Sequence, residues 1–414
     1  MEPQLSKDTS HQCLEKILSD RAIKTLFQPI ISVEQNGVFA VEALSRGMAK
    51  DGCSLIPPNL LFSLPQSENE LLMLDRLCRE RAIETFVSLT HVHPSLLIAI
   101  NIDASIINSA TATSNHLFEI SKREGVNSNN IIIEIIESRA TDTDVLMEFV
   151  SYYRDNGFLI ALDDVGAGHS NLDRIPLLKP DIIKIDRSLI SDIDSVFHKR
   201  EIVKALKQMA SKVGTMILAE GVEKKDEALV CMEIGIDCFQ GFYFGRPVES
   251  QEFDFKMVQN TIGSLKTCFK KHKMQKISEA TKRARQHRSI AEMVTSQITN
   301  LESSKYDEKI QSIVNTDPAI ECVYVLNLDG IQITDTFLNT TNSIQQKRFI
   351  YKPAPKNSDH SLKEYYLPLR AGLHTFTTEP YISMATGKRC TTIAAFYQNR
   401  EGVKNILCID LDCG

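Results

Sequence analysis

Apolar and polar positions repeat along the first part of the chain in a regular way. Six short apolar runs each end in a carboxylate, amide or ammonium side chain. Runs of four to eight residues rich in Val, Ile and Leu are typical of buried strands. One polar residue after a strand is ordinary, because Asp and Asn often cap the helix that follows. The runs are VFAVEALSR, LLIAINID, IIIEIIE, FLIALDDVGAG, DIIKIDR and TMILAEGVE.

Amphipathic segments lie between these runs and predict helices over residues 68–89, 143–157 and 201–214, after a lead-in helix over 1–20. Several of them close with Gly, the expected helix stop. Strands that alternate with helices favour an α/β fold with a parallel sheet. Six strands with polar ends predict a parallel barrel, which places its chemistry at one rim.

The polar strand ends are candidate metal ligands. Hard oxygen donors without His or Cys select Mg²⁺, Mn²⁺ or Ca²⁺ rather than zinc. Five converging carboxylates repel one another unless cations neutralise them. Two divalent ions roughly 3.5–4 Å apart can hold a hydroxide and stabilise in-line attack on phosphorus, with Lys184 supplying positive charge nearby. The oxygen donors are Glu42, Asn101, Glu134, Asp163, Asp164 and Glu220.

An alternative role for each carboxylate is to cap a helix or pair with a neighbouring Arg. That role fits the whole set poorly, because Glu is a weak N-cap residue and three of the positions are Glu. The loop DDVGAG (163–168) ends the fourth run, and Gly166 and Gly168 allow it unusual backbone angles. Glu137, three residues after Glu134, is a candidate anchor for this loop through backbone N–H groups.

The remaining residues predict a helical connector and a second domain. Residues 250–305 contain few helix breakers, and Lys266–Arg288 holds nine Lys or Arg and one Glu. This basic stretch is either a solvated connecting helix or a patch for nucleic acid or an anionic membrane. Residues 306–414 read as an antiparallel α+β domain, with ECVYVLNLDGIQITDT as a hairpin around Asp-Gly and three further strands.

Composition narrows the class of protein. The chain has 414 residues, 43% hydrophobic residues and a formal net charge of −6, which disfavours DNA as a partner. No apolar stretch approaches the ~20 residues of a membrane-spanning helix. The polar start predicts no signal peptide. The ten cysteines form no CxxC pair, which favours reduced thiols in the cytoplasm.

Several of these motifs together resemble the EAL family of cyclic-di-GMP phosphodiesterases, over roughly residues 10–248. The family name is read at Glu42-Ala43-Leu44, extended to ExLxR by Arg46. The ordered series is specific, although no single tripeptide in it is. Its other members are FQPI (27–30), NID (101–103), EIIE (134–137), DDVGAG (163–168), KID (184–186), AEGVE (219–223) and QGFYFGRP (240–247).

The resemblance implies a TIM-like (β/α)8 barrel with one antiparallel strand over residues 1–249, and hydrolysis of cyclic di-GMP to linear pGpG. It implies two Mg²⁺ or Mn²⁺ ions on the six oxygen donors, and a homodimer. Ca²⁺ is expected to inhibit, because it is larger and prefers more ligands. The implied catalytic residues are Glu42, Lys184, Glu220, Gln240 and Asp164, and the implied substrate contacts are Gln28, Leu44 and Arg46.

Three positions depart from the commoner family pattern. Ile136 stands where Thr is usual, Val165 where Phe is usual and His169 where Tyr is usual. None of the three is a predicted metal ligand. They bear on rate and regulation, because they lie in or near the loop that the resemblance links to the second metal and to dimer coupling.

The segments DHSLKEYY (359–366), EPYIS (379–383) and NILCIDLD (405–412) make residues 306–414 resemble PAS-like or Cache-like sensor domains, after a connector over 250–305. Tyr365, Tyr366, Tyr381 and Asp410 are candidates to line a pocket for an unidentified small ligand, or else they are core aromatics and a strand-end carboxylate. The leading function is an active hydrolase regulated by this domain. The alternatives are a receptor that binds cyclic di-GMP without cleaving it and a scaffold.

Overall fold

The computed structural model describes residues 7–49, 54–108, 111–136, 142–167, 172–341 and 350–413. Two compact units divide the chain, Met1–Lys273 and Met274–Gly414. Their division falls inside one long helix. The predicted boundaries of barrel, connector and sensor domain stay a prediction.

The first unit is built around a closed ring of strands. The ring order is β1, β2, β4, β5, β6, β7, β8, β9 and back to β1, with β3 paired to the end of β2. β1 runs antiparallel to both of its neighbours, and the other neighbours in the ring are parallel. The predicted barrel with one antiparallel strand is therefore confirmed. The strands are β1 (Ile23–Ser32), β2 (Gly37–Met48), β3 (Leu55–Ile56), β4 (Leu97–Asp103), β5 (Ile131–Ile136), β6 (Leu159–Val165), β7 (Ile182–Ile185), β8 (Met216–Ala219) and β9 (Cys238–Gln240).

Helices connect the strands, and local signals set their ends. The longest helix that lies wholly in the first unit spans Glu68–Thr90. The Ser67 hydroxyl caps its N-terminus by accepting a hydrogen bond from the Glu70 N–H at 3.2 Å. α8 and α9 end at Gly214 and Gly235, in the left-handed region at φ 80° and 91°. The helices are α1 (Lys7–Ser19), α2 (Pro58–Leu61), α3 (Glu68–Thr90), α4 (His116–Arg123), α5 (Thr143–Asp155), α6 (Arg174–Leu178), α7 (Arg187–Ile190), α8 (Phe197–Val213) and α9 (Lys225–Ile234).

The barrel interior is layered. Each ring strand contributes one inward-facing apolar residue to a buried cluster near the base. Because side chains on a strand alternate between its two faces, the residue two positions further toward the rim also points inward. The apolar layer consists of Ile30, Ala40, Ala99, Ile132, Ala161, Ile182, Leu218 and Cys238.

α10 (Phe255–Thr299) is a continuous helix of 45 residues that crosses the division between the units. Its early residues Ile262 and Leu265 are buried in the core of the barrel unit. The residues of the predicted basic stretch are largely exposed along this helix, as expected for a solvated connector.

The second unit contains an antiparallel sheet in the order β11, β10, β15, β14, β12, with β13 paired to β14. One sheet face packs against α10 and α11, and the other packs against Tyr365, Tyr366 and Leu369. The elements are α11 (Tyr306–Ile313), β10 (Ile320–Leu326), β11 (Phe337–Leu338), α12 (Leu367–Arg370), β12 (Thr375–Thr377), β13 (Tyr381–Ile382), β14 (Arg389–Gln398) and β15 (Lys404–Asp412).

The predicted hairpin at residues 321–336 is wrong in its second strand. After β10 the chain turns where the Asn327 side chain accepts from the Asp329 and Ile331 N–H groups, but only a bridge between Leu326 and Gln332 follows. The strand that pairs with β10 after this turn is β11, further along the chain, and β15 pairs with the opposite edge of β10. The C-terminal segment forms four strands rather than the three expected.

Candidate functional site

A polar layer lies one step above the apolar layer of the barrel. Each member stands two residues from an apolar layer residue on its own strand, toward the rim. The sequence pattern of an apolar run ending in a polar residue therefore becomes a ring of inward-facing polar groups. This layer consists of Gln28, Glu42, Asn101, Glu134, Asp163, Lys184, Glu220 and Gln240.

Lys184 lies at the centre of the ring and is buried. Its Nζ is 2.8 Å from Glu134 Oε1, 3.1 Å from Asp163 Oδ1 and 2.7 Å from Glu220 Oε1. These carboxylates come from the ends of β5, β6 and β8; β6 and β8 flank β7, and β5 lies beyond β6. One ammonium therefore holds three strand ends together and fixes the direction of three carboxylates.

Glu42 is held by amides on the other side of the ring. Asn101 Nδ2 donates to Glu42 Oε1 at 2.8 Å, and Gln240 Nε2 donates to Glu42 Oε2 at 2.5 Å. Gln240 Nε2 also lies 3.2 Å from Gln28 Oε1, and Gln28 Nε2 donates to the Gly245 carbonyl at 3.2 Å. The two amides fix both oxygens of a carboxylate that is only 8% exposed.

Asp163 and Asp164 both face the site, although neighbours on a strand normally point to opposite faces. The pairing of β6 with β7 is irregular between Leu162 and Val165, and Asp164 adopts a left-handed φ of 54°. Carboxylate oxygens of Asp163, Asp164 and Glu220 lie within 4.8 Å of one another. Because of this irregularity, the end of β6 presents two neighbouring carboxylates, Asp163 and Asp164, to the same site.

The electrostatics of the ring follow from burial and from crowded charges. Burial favours the neutral acid at Glu42, but Lys184, Gln240 and Asn101 outweigh it and lower the pKa of this residue. Burial and the neighbouring carboxylates of Glu42 and Asp163 raise the pKa of Glu134 well above its usual value. Burial, with Asp163 and Glu42 adding to it, also raises the pKa of Glu220 to about 8.

The remaining ionisable groups of the ring shift for the same reasons. Burial would lower the pKa of Lys184, but the carboxylates around it raise this pKa well above the usual value. Among these carboxylates, Asp163 has the largest effect. Burial and the charges of Asp163 and Asp186 raise the pKa of Asp164. Burial is the first cause of the raised carboxyl pKa values, and repulsion between neighbouring carboxylates adds to it.

The residues present fit divalent cations. Four carboxylates and one ammonium occupy the ring, with the Asp164 carboxylate beside it, and Glu134 Oε2 is buried without a hydrogen-bond partner. Asp163, Asp164 and Glu220 offer converging oxygens, and oxygen-only donors suit hard divalent ions. The acidic residues can therefore hold a metal ion.

Comparison with known proteins identifies the family. The EAL domain matches residues 11–247, which is more than half of the chain. The chain belongs to the EAL domain family. Within it, the chain is 26% identical over 380 residues to the uncharacterized EAL-domain containing protein YkuI of Bacillus subtilis, covering 89% of this chain and 90% of that protein.

Other relatives carry functional names. The chain is 27% identical over 243 residues to the probable cyclic di-GMP phosphodiesterase PdeB of Escherichia coli, covering 59% of this chain and 46% of that one. The chain therefore spans about half the length of this relative. A structure of Bacillus subtilis YkuI in complex with cyclic di-GMP and calcium matches 96% of this chain and 98% of that one, with a TM-score of 0.80 and 22% identity. This match shows a shared fold.

The predicted substrate contacts of this EAL protein lie on β1 and β2. Leu44 and Arg46 stand two and four residues beyond Glu42, on the same strand face and nearer the rim. The Arg46 guanidinium is half-buried and donates to the Ser45 carbonyl at 2.9 Å. Burial lowers the pKa of Arg46, and the Glu42 carboxylate opposes this. Their substrate roles stay a prediction.

Some predicted residues lie outside the described part of the chain. Glu137, Gly168 and His169 are among them, as is the side chain of Ile136. Val165 is described, and it is buried at the end of β6. Among the described residues no helix combines the length and apolarity needed to cross a membrane.

The candidate sensor residues gather on the sheet face opposite α10. Thr392 Oγ1 donates to Asp410 Oδ1 at 2.7 Å, and Tyr381 Oη lies 2.6 Å from Thr392 Oγ1. Ser383 Oγ donates to Asp410 Oδ2 at 3.2 Å. Tyr365 Oη lies 2.6 Å from His360 Nδ1. Burial raises the pKa of Asp410, although its hydroxyl partners oppose this.

One supporting pair was not predicted. Asp75 and Arg79, four residues apart on α3, form a buried ion pair, and Asp75 also accepts from the Asp103 backbone at the end of β4. This contact supports the strand that carries Asn101. The sequence did contain a signal for this pair. Its two charged residues stand beside Leu74 and Cys78, on the apolar face of a predicted helix.

Proposed function

We propose that this chain is a metal-dependent phosphodiesterase that hydrolyses one phosphodiester bond of cyclic di-GMP to give linear pGpG. The observation that carries the proposal is the ring of inward-facing donors, with Lys184 held by three carboxylates in an EAL barrel. Every oxygen donor that the family resemblance implies stands in this ring or, for Asp164, beside it.

Different residues of the site would bind the metal ions, orient the attacking water and bind the substrate. Glu42, Asn101, Glu134, Asp163, Asp164 and Glu220 would hold two Mg²⁺ or Mn²⁺ ions. When bound, such ions polarise the phosphoryl oxygens and lower the pKa of a water. Lys184 and Gln240 orient the attacking water, and Lys184 adds positive charge where the phosphoryl group becomes more negative. Gln28, Leu44 and Arg46 bind the guanine and phosphate of the substrate.

The function is tested by incubating the purified full-length chain with cyclic di-GMP. We expect pGpG with Mg²⁺ or Mn²⁺, and none with chelator or with Ca²⁺ alone. Ca²⁺ prefers more ligands at longer distances than Mg²⁺, so it should bind yet leave the reacting oxygens badly spaced. Chromatography of the products with each ion measures this, and full activity in chelator would contradict the metal assignment.

The second candidate function is a receptor that binds cyclic di-GMP without cleaving it. The same assay separates the two, because a receptor would show nucleotide binding by calorimetry with no pGpG under any metal. The intact donor set favours the enzyme. Free thiols at buried positions such as Cys231 and Cys408 support a cytoplasmic location, which cell fractionation checks.

We also propose that the second unit regulates the barrel through a small polar ligand near Asp410. This carboxylate is 3% exposed and accepts hydrogen bonds from the hydroxyl groups of Thr392 and Ser383 and from the thiols of Cys322 and Cys390. A thermal-shift screen of the full chain should find a compound that raises the melting temperature, and Asp410→Asn should remove that shift. A shift that persists in Asp410→Asn would place the ligand elsewhere.

A further inference from the structure

A buried carboxylate outside the ring joins the chain segments that follow β7 and β8. Glu227 lies in the first turn of α9 and is only 1% exposed. Its Oε1 accepts a hydrogen bond from the Asp192 N–H at 3.0 Å. Its Oε2 accepts from the N–H groups of Glu223 and Lys224, each at 3.0 Å. We call these three hydrogen bonds of Glu227 the rim clasp.

The rim clasp lies close in the chain to two members of the ring. Glu220 stands three residues before Glu223 and one residue beyond the end of β8. Lys184 lies on β7, the strand that leads to Asp192. The Lys184 ammonium and the Glu220 carboxylate are 2.7 Å apart. The clasp therefore connects the two segments that continue from this ion pair.

Backbone hydrogen bonds hold only the first part of the segment 220–224. The Glu220 N–H donates to the Ile185 carbonyl at 3.1 Å, and the Val222 N–H donates to the Gln240 carbonyl at 3.0 Å. The last two N–H groups of the segment both donate to the clasp. The direction in which the chain leaves Glu220 is thus fixed at its far end by Glu227.

Two ion pairs join the same segments at the surface. Arg187 Nη2 lies 3.0 Å from Glu223 Oε1, and Lys224 Nζ lies 2.6 Å from Asp192 Oδ1. Their side chains are between 37% and 58% exposed, so solvent screens both pairs and each contributes little. The buried carboxylate is the stronger link, because hydrogen bonds to an ionised acceptor are roughly twice as strong as neutral ones.

A helix cap explains only part of this geometry. A Glu at the third position of a helix commonly accepts from the N–H of the capping residue, as Glu227 does from Lys224. Such a cap does not require the other oxygen to reach Asp192, which is 35 residues away in the chain. Asp192 also adopts a left-handed φ of 59°, which is uncommon for residues other than glycine. The contact between the two segments is therefore additional to capping.

We propose that Glu227 is a positioning residue for the metal site, which sets the direction of the Glu220 carboxylate relative to Lys184 and Asp163. The proposal rests on the metal-dependent hydrolysis proposed above. Glu227 acts through the segment 220–224 and contacts neither metal nor substrate. Residues that orient metal ligands from outside the ligand shell typically change metal affinity or activity 10–100-fold when they are replaced.

Glu227→Gln in the full-length chain separates positioning from capping. Glutamine also serves as a cap at this helical position, but it has one acceptor oxygen and cannot serve both segments. We expect the Mn²⁺ dissociation constant, measured by calorimetry without substrate, to rise about tenfold and kcat to fall about tenfold. KM should change little, because no substrate contact is lost. Amide exchange measured by mass spectrometry should become faster in residues 186–192 and 220–224.

Glu70→Gln is the matched control. Glu70 occupies the same helical position in α3, where it accepts from the Gln66 N–H at 2.7 Å. This variant should keep the Mn²⁺ affinity and kcat of the parent chain. Equal effects of the two substitutions would overturn the positioning role.

The Mn²⁺ and exchange measurements do not depend on turnover. Parent-like Mn²⁺ affinity in Glu227→Gln would overturn the positioning role, and faster exchange in the same variant would then show that the clasp is only structural. If the parent chain binds Mn²⁺ but forms no pGpG, the proposed hydrolysis fails, while the change in Mn²⁺ affinity still decides the role of Glu227.

Discussion

Replacing Lys184 with methionine should lower kcat for cyclic di-GMP by about 10²-fold or more, the scale for losing one electrostatic stabiliser in an active site. Methionine keeps much of the apolar stem but removes the ammonium that lies within 3.1 Å of Glu134, Asp163 and Glu220. These carboxylates then repel one another and lose their common partner. Steady-state kinetics with saturating Mg²⁺ measure the change, and circular dichroism checks the fold.

Lys207→Met is the matched control for this substitution. Lys207 pairs with Asp237 at 2.7 Å, and the Asp237 carboxylate accepts from the Ile217 N–H, near the start of β8 and away from the rim. This variant should lose only the ~1 kcal/mol of a partly exposed pair and keep its turnover. Near-normal kcat in Lys184→Met would show that this ammonium takes no part in hydrolysis.

Glu42→Gln should also lower kcat by about 10²-fold or more. The substitution keeps the shape of the side chain but replaces a carboxylate, whose pKa is lowered by Lys184 and two amides against the effect of burial. It removes one negative metal ligand and sets an amide against Gln240 Nε2, which now donates to Glu42 Oε2 at 2.5 Å. Turnover and Mg²⁺ titration of the purified variant measure both effects.

Arg46→Ala gives the contrast for Glu42→Gln. Its guanidinium lies four residues further along β2 and is proposed to bind the substrate phosphate before the transition state. Loss of such a contact should chiefly raise KM, roughly tenfold, with little change in kcat. If Glu42→Gln raised only KM while Arg46→Ala lowered only kcat, the assigned roles would be reversed.

The barrel could be predicted from the sequence because its signal is local. Each strand is a short apolar run, and each ends in a polar residue two positions after an inward-facing apolar one, as at Ala161 and Asp163. The period-two alternation of a strand carries that information within a few residues. The second strand of the hairpin after β10 was predicted too early, because the returning strand β11 begins only at Phe337. The pairing of the other edge of β10 with the distant strand β15 is not encoded in either segment alone.

The sequence by itself determined which residue types reach the rim and that they are oxygen donors and one ammonium. Only the tertiary structure decided how they are joined. Gln240 reaches Glu42 across a separation of 198 residues, because ring closure brings β9 and β2 to either side of β1. Asp164 joins Asp163 because its backbone adopts a φ of 54°, which no strand pattern encodes. Contacts that depend on closure and on local backbone breaks arise from the packing of the whole barrel, so they are not readable from any one segment.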